Sequence, residues 1–402
     1  MSDSATNLRI LVLTSTFPRW AGDREPPFVF ELSRRLVNRF EVSVLAPHAS
    51  NAKRQEIFGE ISVHRFPYFF TGGQTLAYNG GILANLKRNR LNYLLVPFFM
   101  LFEFIYLWRL LRTTHIDVIH AHWLIPQGLV ALLARACSGQ SPLILCTSHG
   151  GDLFGLSGKL LTGIKRHIIN RLDKFTVVSQ AMRDYAYNLT ARRDIEVIPM
   201  GVDLVRQFTP DSEPRSTCDI LFVGRLVEKK GVRYLIEAMP EIIKAQPQAT
   251  LLIAGEGPDK VMLEQLSVDI DVAPHVRFLG AVDNTLLQAQ YRRAAIFVGP
   301  SIVAKGGDQE GLGLVFVEAL GCECAVISSD LPAIKDVIID GVTGLMCKQR
   351  DSADLANKVI SLLDNPSLRQ TLGQAGRRHV IERFDWEIVT HRYATLMQAM
   401  HH

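Results

Sequence analysis

Two glutamates lie eight positions apart around a glycine-rich turn, in the segment QEGLGLVFVEALG, residues 309 to 321. Glu310 precedes the turn, and Glu318 lies on the helix that we expect to begin there. Eight helical residues would separate the carboxylates by on the order of 10 Å, about the span of a diphosphate between two sugar rings. Each carboxylate could accept hydrogen bonds from vicinal hydroxyls. The turn's N–H groups suit a phosphate at a helix start; they belong to Gly311, Leu312 and Gly313.

Two cations follow a predicted strand in FVGRLVEKKGV, residues 222 to 232. Arg225 ends the strand, and a short loop brings Lys230 to a turn at Gly231 before the next helix. A cation pair on one strand-end loop can hold a diphosphate whose charge grows as its bond to a sugar breaks. A solvated basic turn is the alternative for this pair, as surface carboxylates are for the two glutamates.

A third candidate cluster lies in CTSHGGDLFG, residues 146 to 155, where His149, two glycines and Asp152 follow a strand. The glycines let a ligand approach the backbone, and a histidine beside an aspartate could orient a sugar. His120 and His122, in HAHW, end another strand of the same predicted sheet. A structural, hydrogen-bonded role is equally open for these two histidines.

The loop FPRWAGDREPPFVFEL, residues 17 to 32, joins the first strand to the first helix, and Gly22 lets its backbone approach a phosphate. It lacks the G-x-G-x-x-G spacing of dinucleotide-binding loops, which argues against a dehydrogenase. No metal site is predicted, because Asp269-Ile270-Asp271 precedes a strand instead of following one. Cys322 and Cys324 are expected to be ordinary packing residues.

Short apolar runs alternate with amphipathic stretches along nearly the whole chain, which is typical of parallel sheets covered by helices on both faces. The predicted strands are 8–14, 41–47, 117–122, 142–149, 174–179 and 195–201, then 219–226, 250–255, 276–280, 295–301 and 325–330. We therefore predict two doubly wound α/β domains. In such sheets ligands bind beyond the carboxyl ends of the strands, where the candidate residues lie.

Composition sets limits on function. The 402 residues carry a formal net charge of +4 and 48% hydrophobic residues, so disorder and a dedicated nucleic-acid binder are both disfavoured. The six cysteines form no disulfide or zinc pattern, and the N-terminus lacks the features of a signal peptide. We expect a cytoplasmic protein.

Residues 91 to 111, LNYLLVPFFMLFEFIYLWRLL, are almost continuously apolar and follow Lys87, Arg88 and Arg90. The run is long enough to span a bilayer, although Glu103 interrupts it. A membrane span is disfavoured. A helix lying on the membrane surface and a buried helix both stay open.

With these residues in view, the chain resembles the retaining glycosyltransferases of family 4, which have the GT-B fold of two Rossmann-like domains facing across a cleft. The resemblance is carried by successive blocks in their usual order: VGRLVEKKG, LLIAGEGP, VRFLGAV, EGLGLVFVEAL and DGVTGLMC. It implies an acceptor-side domain (1–202), a linker (203–217), a nucleotide-sugar-binding domain (218–383) and a closing helix (384–402). The closing helix could cross back to the first domain.

The resemblance implies roles for the donor-side residues. Arg225 and Lys230 match the pair that contacts the donor diphosphate. Glu310 matches the glutamate that holds the transferred sugar, and Glu318 matches the one that holds the ribose hydroxyls. Val282 falls where the family's backbone meets the nucleobase.

On the acceptor side, His149 matches the histidine near the reacting centre, so that the expected catalytic residues are His149, Arg225, Lys230 and Glu310. Many relatives carry a double glycine in the first loop where this chain has Gly22 and then Pro26-Pro27, so a phosphate contact at Gly22 stays open. Asp152 and His122 are candidate acceptor contacts.

The implied activity is retaining, metal-independent transfer of a sugar from a GDP- or UDP-sugar, used as substrate with no cofactor. The expected acceptor is a saccharide or a polyprenyl-linked saccharide in bacterial surface polysaccharide synthesis, reached at the inner face of the cytoplasmic membrane through residues 91–111. A nucleotide-sugar epimerase and a non-catalytic binding protein on the same fold are the alternatives.

Overall fold

The computed structural model describes residues 8–23, 25, 27–156 and 158–401. The chain divides into two units. Unit 1 contains the chain up to Val178, Met182–Ile198 and the chain from Thr390 onward. Unit 2 contains Ser179–Ala181 and Pro199–Val389. Each unit is built around one sheet.

Unit 1 has an eight-stranded sheet in the order β3-β4-β2-β1-β5-β6-β7-β8. Its strands are β1 (Arg9–Leu13), β2 (Glu41–Pro47), β3 (Gln55–Phe58), β4 (Ile61–Phe66), β5 (Val118–His122), β6 (Leu143–Ser148), β7 (Lys174–Val177) and β8 (Glu196–Val197). Neighbouring strands are parallel except for the antiparallel edge pair β3–β4. The strand order reverses between β1 and β5, the position where doubly wound sheets bind ligands.

Helices cover the sheet of unit 1 because the central strands are apolar on both faces. They are α1 (Phe28–Leu36), α2 (Ile82–Arg88), α3 (Leu95–Thr113), α4 (Leu129–Ser138), α5 (Gly151–Phe154), α6 (Lys159–Arg171) and α7 (Gln180–Leu189). Tyr393, from the end of the chain, also belongs to this unit. It is fully buried, and its hydroxyl donates to the Ile198 carbonyl over 3.1 Å.

Unit 2 has a six-stranded sheet of parallel pairs in the order β11-β10-β9-β12-β13-β14. Its strands are β9 (Asp219–Val223), β10 (Thr250–Ala254), β11 (Val276–Gly280), β12 (Ile296–Gly299), β13 (Ala325–Ser329) and β14 (Leu345–Cys347). Counted within the unit this is the order 3-2-1-4-5-6 of dinucleotide-binding folds. The order reverses between β9 and β12.

The helices of unit 2 are α8 (Val232–Ala245), α9 (Lys260–Asp269), α10 (Asn284–Arg293), α11 (Leu314–Gly321), α12 (Ser352–Leu363) and α13 (Pro366–Phe384), followed by α14 (Trp386–His401), which ends in unit 1. The predicted linker 203–217 contains no helix or strand among the residues described there. It is nevertheless packed, because Leu204 and Phe208 are buried and lie against Gly321, where an added Cβ would come within 2.5 Å of Leu204.

All predicted strand segments contain a strand, whereas β3, β4 and β14 were not predicted. β3 is a polar edge strand, QEIF. β4, ISVHRF, was missed because a charged residue, Arg65, occupies a buried position and breaks the apolar pattern. The buried Arg65 side chain pairs with Glu56 over 2.5 Å and donates to the Pro18 carbonyl. β14 has only three residues, too few for a periodicity to be recognised.

The apolar run 91–111 forms most of the one described helix that is long and apolar enough to span a membrane, Arg90–Thr113, with a mean hydropathy of 1.8 and 22% buried in its most apolar stretch. Within it, α3 buries one narrow stripe of side chains: Leu95, Phe99, Glu103, Leu107 and Leu111. The stripe faces the body of unit 1, since Trp108 Nε1 donates to the Cys137 carbonyl of α4 over 3.1 Å and Gln127 Nε2 donates to Glu103 over 3.0 Å. The helix is therefore buried along one side and half-buried along its flanks, and Phe98 and Leu101 are among its exposed residues.

Candidate active site

The first element of the site in unit 2 is the loop that leaves β9 at the point where the strand order reverses. Gly224 N donates to the Ala254 carbonyl over 3.0 Å, which joins the ends of β9 and β10. Arg225 follows and is exposed. A Cβ built on Gly224 would lie 3.7 Å from Lys230 Nζ, so the Lys230 ammonium lies beside this strand end.

A tight turn places Lys230 there. Glu228–Lys230 form one turn of 3-10 helix, and Gly231 continues it in the left-handed region, at a φ of 65°. A Cβ on Gly231 would lie 1.9 Å from the carbonyl oxygen of Pro300, in the loop after β12. Only glycine fits, because any side chain would meet backbone and also strain φ. The β9 and β12 loops are therefore in direct contact at this turn.

Lys230 pairs with the first predicted glutamate. Its Nζ lies 3.2 Å from Glu310 Oε1, and the two side chains are only 15% and 11% exposed. Burial favours a higher pKa for Glu310, but Lys230 and Lys229 outweigh it and hold the pKa below its usual range. The contact is not aligned as a hydrogen bond, and among the described residues Glu310 Oε1 has no hydrogen-bond donor. The carboxylate thus stays ionised with an acceptor position to fill.

Lys229 fixes the loop that carries Glu310. Its Nζ donates to Asp308 Oδ1 over 3.2 Å and to the Gln309 carbonyl over 3.4 Å. The Ile302 N–H donates back to the Lys229 carbonyl over 2.8 Å. Adjacent lysines therefore have different roles: Lys229 supports the loop, and Lys230 faces the glutamate.

The second predicted glutamate is held by a residue that the sequence did not indicate. The hydroxyl of Tyr291, on α10, donates to Glu318 Oε2 over 2.9 Å, and the tyrosine is fully buried. Burial raises the pKa of Glu318 to about 7, although Tyr291 and Lys230 act in the opposite direction. Lys230 acts to lower the pKa of both glutamates, although only Glu310 forms an ion pair with it. In the sequence, Tyr291 cannot be distinguished from an ordinary core residue, so its contact with Glu318 could not be predicted.

The helix after Glu310 begins later than predicted. α11 starts at Leu314, with Gly313 as its N-cap at a φ of 85°, so the three turn residues precede the helix. The N–H of Phe316 is already bonded to the Gly313 carbonyl over 3.0 Å. The assumption of eight helical residues between the two glutamates was therefore wrong, since only the part from Leu314 to Glu318 is helical. Leu312 is buried, and Gly311 is half-buried.

Val282 lies in the loop after β11, at the same carboxyl edge of the sheet, and is half-buried. Its loop is joined to the next strand end because Gly255 N donates to the Gly280 carbonyl over 2.8 Å. Asp283 caps α10 by accepting from the Thr285 N–H over 2.9 Å. The unit 2 candidates thus follow the carboxyl ends of its strands, where Lys230 and Glu310 form an ion pair and Glu318 is bonded to Tyr291.

In unit 1 the three histidines form a stack. His122 Nδ1 and His149 Nε2 share a hydrogen bond of 2.9 Å, and their rings are nearly parallel, 5.2 Å apart. His120 lies behind, with its ring 4.2 Å from that of His122 and its Nε2 2.8 Å from Thr147 Oγ1. Burial lowers the pKa of His120 and of His149 to about 3, and that of His122 well below its usual value. All three are neutral at ordinary pH.

Of this stack only His149 reaches the surface. His122 is fully buried, so its place is underneath His149 and not against a ligand. Asp152 is also buried: its carboxylate accepts from the Leu124 N–H over 2.7 Å and from Ser148 Oγ over 2.8 Å. It joins the loops after β5 and β6, which is a supporting role.

Aromatic rings that were not predicted surround His149. The ring centroids of Phe28 and Trp123 lie 4.9 and 5.0 Å from that of His149. Both rings follow the strands β1 and β5, between which the strand order reverses. Gly22 lies in the first of these loops, exposed and left-handed at a φ of 79°. Pro26 lies outside the described residues.

Within the described ranges, no group of three His, Cys, Asp or Glu side chains is placed to hold a metal ion. Asp269 ends α9 and Asp271 follows in a left-handed turn, so both precede β11. Cys322 and Cys324 are buried free thiols.

Family models match both halves of the chain. The model for glycosyltransferase family 4 matches residues 27–206, and the model for group 1 glycosyl transferases matches residues 208–379. Together they cover most of the chain.

Curated relatives agree with the models. A glycogen synthase of Mycobacterium tuberculosis is 32% identical over 69% of this chain and 67% of its own length. A phosphatidyl-myo-inositol mannosyltransferase of the same organism is 30% identical over 87% of this chain and 85% of its own. A GDP-mannose-dependent phosphatidylinositol monomannoside mannosyltransferase of Corynebacterium glutamicum is 31% identical over 72% and 78%.

Solved structures share the fold. The sucrose-phosphate synthase of Thermosynechococcus elongatus matches 98% of this chain and 99% of its own with a TM-score of 0.79 and 22% identity. The Anabaena protein HepE in complex with UDP-glucose matches 98% and 100% with a TM-score of 0.72 and 17% identity. With its two doubly wound sheets, its two family matches and these relatives, the chain belongs to the group 1 glycosyltransferases of family 4 and has the GT-B fold.

Proposed function

We propose that the protein transfers a sugar from a GDP- or UDP-sugar to a saccharide or lipid-linked saccharide, with retention at the anomeric carbon and without a metal ion or other cofactor. The observation that carries the proposal is the ion pair of Lys230 and Glu310 at the strand reversal of unit 2, with Glu310 Oε1 lacking a hydrogen-bond donor among the described residues. A buried, ionised acceptor beside a cation suits a ligand that brings both hydroxyls and a diphosphate.

The donor then occupies the edge of unit 2, in the domain 218–383. Lys230 and Arg225 bind the diphosphate, with the backbone N–H groups of 311–313 beside them. Glu310 accepts hydrogen bonds from the transferred sugar, and Glu318 accepts them from the ribose. The backbone at Val282 contacts the nucleobase. Support comes from the shared field of Lys230 on the two glutamates.

In the transfer step the bond from the anomeric carbon to the diphosphate oxygen breaks, and a bond to the acceptor oxygen forms on the same face. The acceptor proton passes to the departing phosphate oxygen, so no enzyme carboxylate is required as nucleophile. Negative charge grows on the leaving diphosphate. Lys230 and Arg225 stabilise that charge, which is the electrostatic task a metal ion performs in other sites.

We assign the acceptor to unit 1, the domain 1–202. His149 contributes its surface-facing edge, and the rings of Phe28 and Trp123 offer the flat apolar surface on which sugars stack. Because His149 Nε2 is engaged by His122, Nδ1 is the nitrogen that remains for a ligand. His122 and Asp152 act through the groups they hold. Gly22, exposed at the strand reversal of this unit, is the remaining candidate for a phosphate contact.

A lipid-linked acceptor is favoured by two observations. Two of the relatives are named as mannosyltransferases of phosphatidylinositol compounds. In addition, the apolar helix within 91–111 exposes apolar side chains, Phe98 and Leu101. We therefore propose a cytoplasmic enzyme at the inner face of the membrane, in surface polysaccharide synthesis. Glutamates in place of Phe98 and Phe102 should reduce sedimentation with anionic liposomes, and equal sedimentation would remove this support.

The test is a donor-turnover assay in excess chelator, with a panel of UDP- and GDP-sugars, with and without saccharide and polyprenyl-linked acceptors. We expect turnover that requires an acceptor, and NMR of the product should show the donor's anomeric configuration. Lys230→Ala should lose at least about 100-fold in kcat. Lys244→Ala, at the exposed far end of α8, is the matched control and should retain activity.

Other outcomes would replace the proposal. An isomerised sugar nucleotide released without acceptor indicates an epimerase. Donor binding without turnover under any condition indicates a binding protein. Activity that disappears in chelator contradicts metal independence, and an inverted product contradicts retention.

A further inference from the structure

A turn outside the apolar helix presents two aromatic rings to solvent. Phe69 and Phe70 follow β4, and their side chains are 37% and 69% exposed. The ring centroids lie 4.4 Å apart, and the Phe69 ring lies 5.8 Å from that of Phe98 on α3. Exposed apolar side chains mark a contact surface where they form a contiguous patch, so the neighbours of these two rings decide their meaning.

The turn is fixed in this arrangement. Thr71–Gly73 form a 3-10 turn, and a Cβ on Gly73 would lie 2.6 Å from the Phe69 ring and 2.9 Å from the Phe70 ring. Glycine therefore allows the rings to fold over the turn. Gln74 Nε2 closes it by donating to the Phe69 carbonyl over 3.0 Å.

The turn and α3 form one surface because aromatic packing joins them from beneath. The rings of Phe66 and Tyr68 each lie 5.1 Å from that of Phe99, which faces the core. On the outer side of the helix, Leu94, Phe98 and Leu101 are exposed by 68%, 44% and 51%, at the spacing of one helix face. We call the set Phe69, Phe70, Leu94, Phe98 and Leu101 the aromatic-turn surface.

The part of the sequence that carries the aromatic-turn surface is basic. From residue 61 to residue 102 the sequence has no Asp or Glu. Lys87, Arg88 and Arg90 are exposed at the end of α2 and just after it. An apolar patch with a cationic border matches an anionic bilayer, which offers a hydrocarbon region below negative headgroups. A second copy of this chain would bring the same three cations against one another, so it is a poor occupant.

We propose that the aromatic-turn surface inserts into anionic lipid bilayers and that the Phe69-Phe70 turn is its leading element. The inference rests on the proposed function in one respect: an acceptor carried by a membrane lipid requires the enzyme to reach the bilayer. Insertion of the turn fixes unit 1 on the membrane at two elements, the turn and α3. If α3 alone lay on the membrane, unit 1 could still rotate about the axis of that helix.

The experiment measures sedimentation of the full chain with vesicles of phosphatidylcholine, alone and with phosphatidylglycerol. We expect binding that requires phosphatidylglycerol and decreases with salt. The double variant Phe69→Ser and Phe70→Ser should bind at least about 10-fold more weakly. The control is Leu160→Ser on α6, which removes an equally exposed apolar side chain (77%) elsewhere on unit 1 and should bind as the wild type does.

Unchanged binding of the double variant, or wild-type binding without preference for phosphatidylglycerol, would overturn the inference. So would a wild-type dimer in light scattering that the double variant abolishes, since a second copy would then cover the surface. Titration of the same samples with UDP and GDP keeps the two proposals separate. Loss of vesicle binding with intact nucleotide binding is the expected result for the variant. Wild-type protein that binds vesicles but no nucleotide would contradict the proposed function and not this inference.

Discussion

The hydroxyl of the buried Tyr291 donates to Glu318 Oε2 over 2.9 Å. The bond fixes one oxygen of a carboxylate that lies beneath the loops of the proposed donor site. It also favours the ionised form of Glu318, whose pKa burial raises to about 7. In the proposed donor site, Tyr291 thus positions Glu318 and does not itself contact the donor.

Tyr291→Phe should weaken donor binding and shift its pH dependence. Glu318 has to be ionised to accept from ribose hydroxyls, so donor affinity should rise with pH through about 7. Removing the tyrosine bond raises the pKa of Glu318 further, since that bond lowers it. We expect about a 3- to 10-fold higher KM for the donor at pH 7, a smaller change in kcat, and a midpoint at higher pH.

The control is Tyr393→Phe, which removes another fully buried tyrosine hydroxyl, one that donates to a carbonyl of unit 1. It should leave the donor's KM and its pH midpoint unchanged. A Tyr291→Phe enzyme with the wild-type pH profile would show that the bond has no influence on the donor site.

The stacked histidines should make the protein sensitive to acid. Burial lowers the pKa of His120 to about 3, whereas an unfolded chain gives about 6.5. The folded-state pKa is the depressed one, so the neutral histidine contributes stability above about pH 6.5 and this contribution is lost as the pH falls. The same sign holds for His122 and His149.

His120→Gln removes one of these titrating groups and keeps an amide that can form a hydrogen bond with Thr147 Oγ1, at the place of His120 Nε2. The measurement is the free energy of unfolding in urea between pH 5 and 7.5. Below about pH 6, the slope of this free energy against pH should be smaller in the variant than in the wild type by about 1.4 kcal/mol per pH unit. His167→Gln, at an exposed histidine of α6, should retain the wild-type slope. An unchanged slope in His120→Gln would mean that His120 is protonated in the folded protein.

Gly231→Ala tests the contact between the β9 and β12 loops. The added Cβ would lie 1.9 Å from the Pro300 carbonyl in a left-handed turn. We expect a loss of more than about 2 kcal/mol of stability, because the backbone has to move as well as adopt a strained φ. Nucleotide binding should fall with it, since Lys230 moves with the turn.

Gly341→Ala separates clash from strain. Gly341 is also left-handed, at a φ of 73°, but an added Cβ there meets nothing within 4 Å. This variant should lose only about 1–2 kcal/mol and keep nucleotide affinity. Equal thermal midpoints for the two variants would contradict the close approach of the two loops.

The fold was predictable from sequence wherever the buried positions of an element are occupied by apolar residues in a regular pattern. Parallel strands buried on both faces, such as β5 and β13, read as short apolar runs and were found. β4 was not, because a buried arginine interrupts it; its partner Glu56 lies on the neighbouring strand β3, which the sequence did not reveal either. Short edge strands such as β14 bury too few side chains to leave a pattern.

The site was predictable to the level of strand ends and no further. Charged residues after β9 and β12 could be placed at one edge because the carboxyl ends of parallel strands lie together. The role of Tyr291 depends on how α10 packs, which no spacing rule gives. His122 is the opposite case: its type indicates chemistry, whereas its complete burial beneath His149 is set by the packing of neighbouring strands.

The most direct test is calorimetric titration of the full chain with UDP and GDP in excess chelator. Lys230 is half of the ion pair at the strand reversal, so Lys230→Ala should bind the nucleotide at least about 10-fold more weakly than Lys244→Ala and the wild type. The same affinity in all three proteins, or wild-type binding that disappears in chelator, would contradict a donor diphosphate held by this cation.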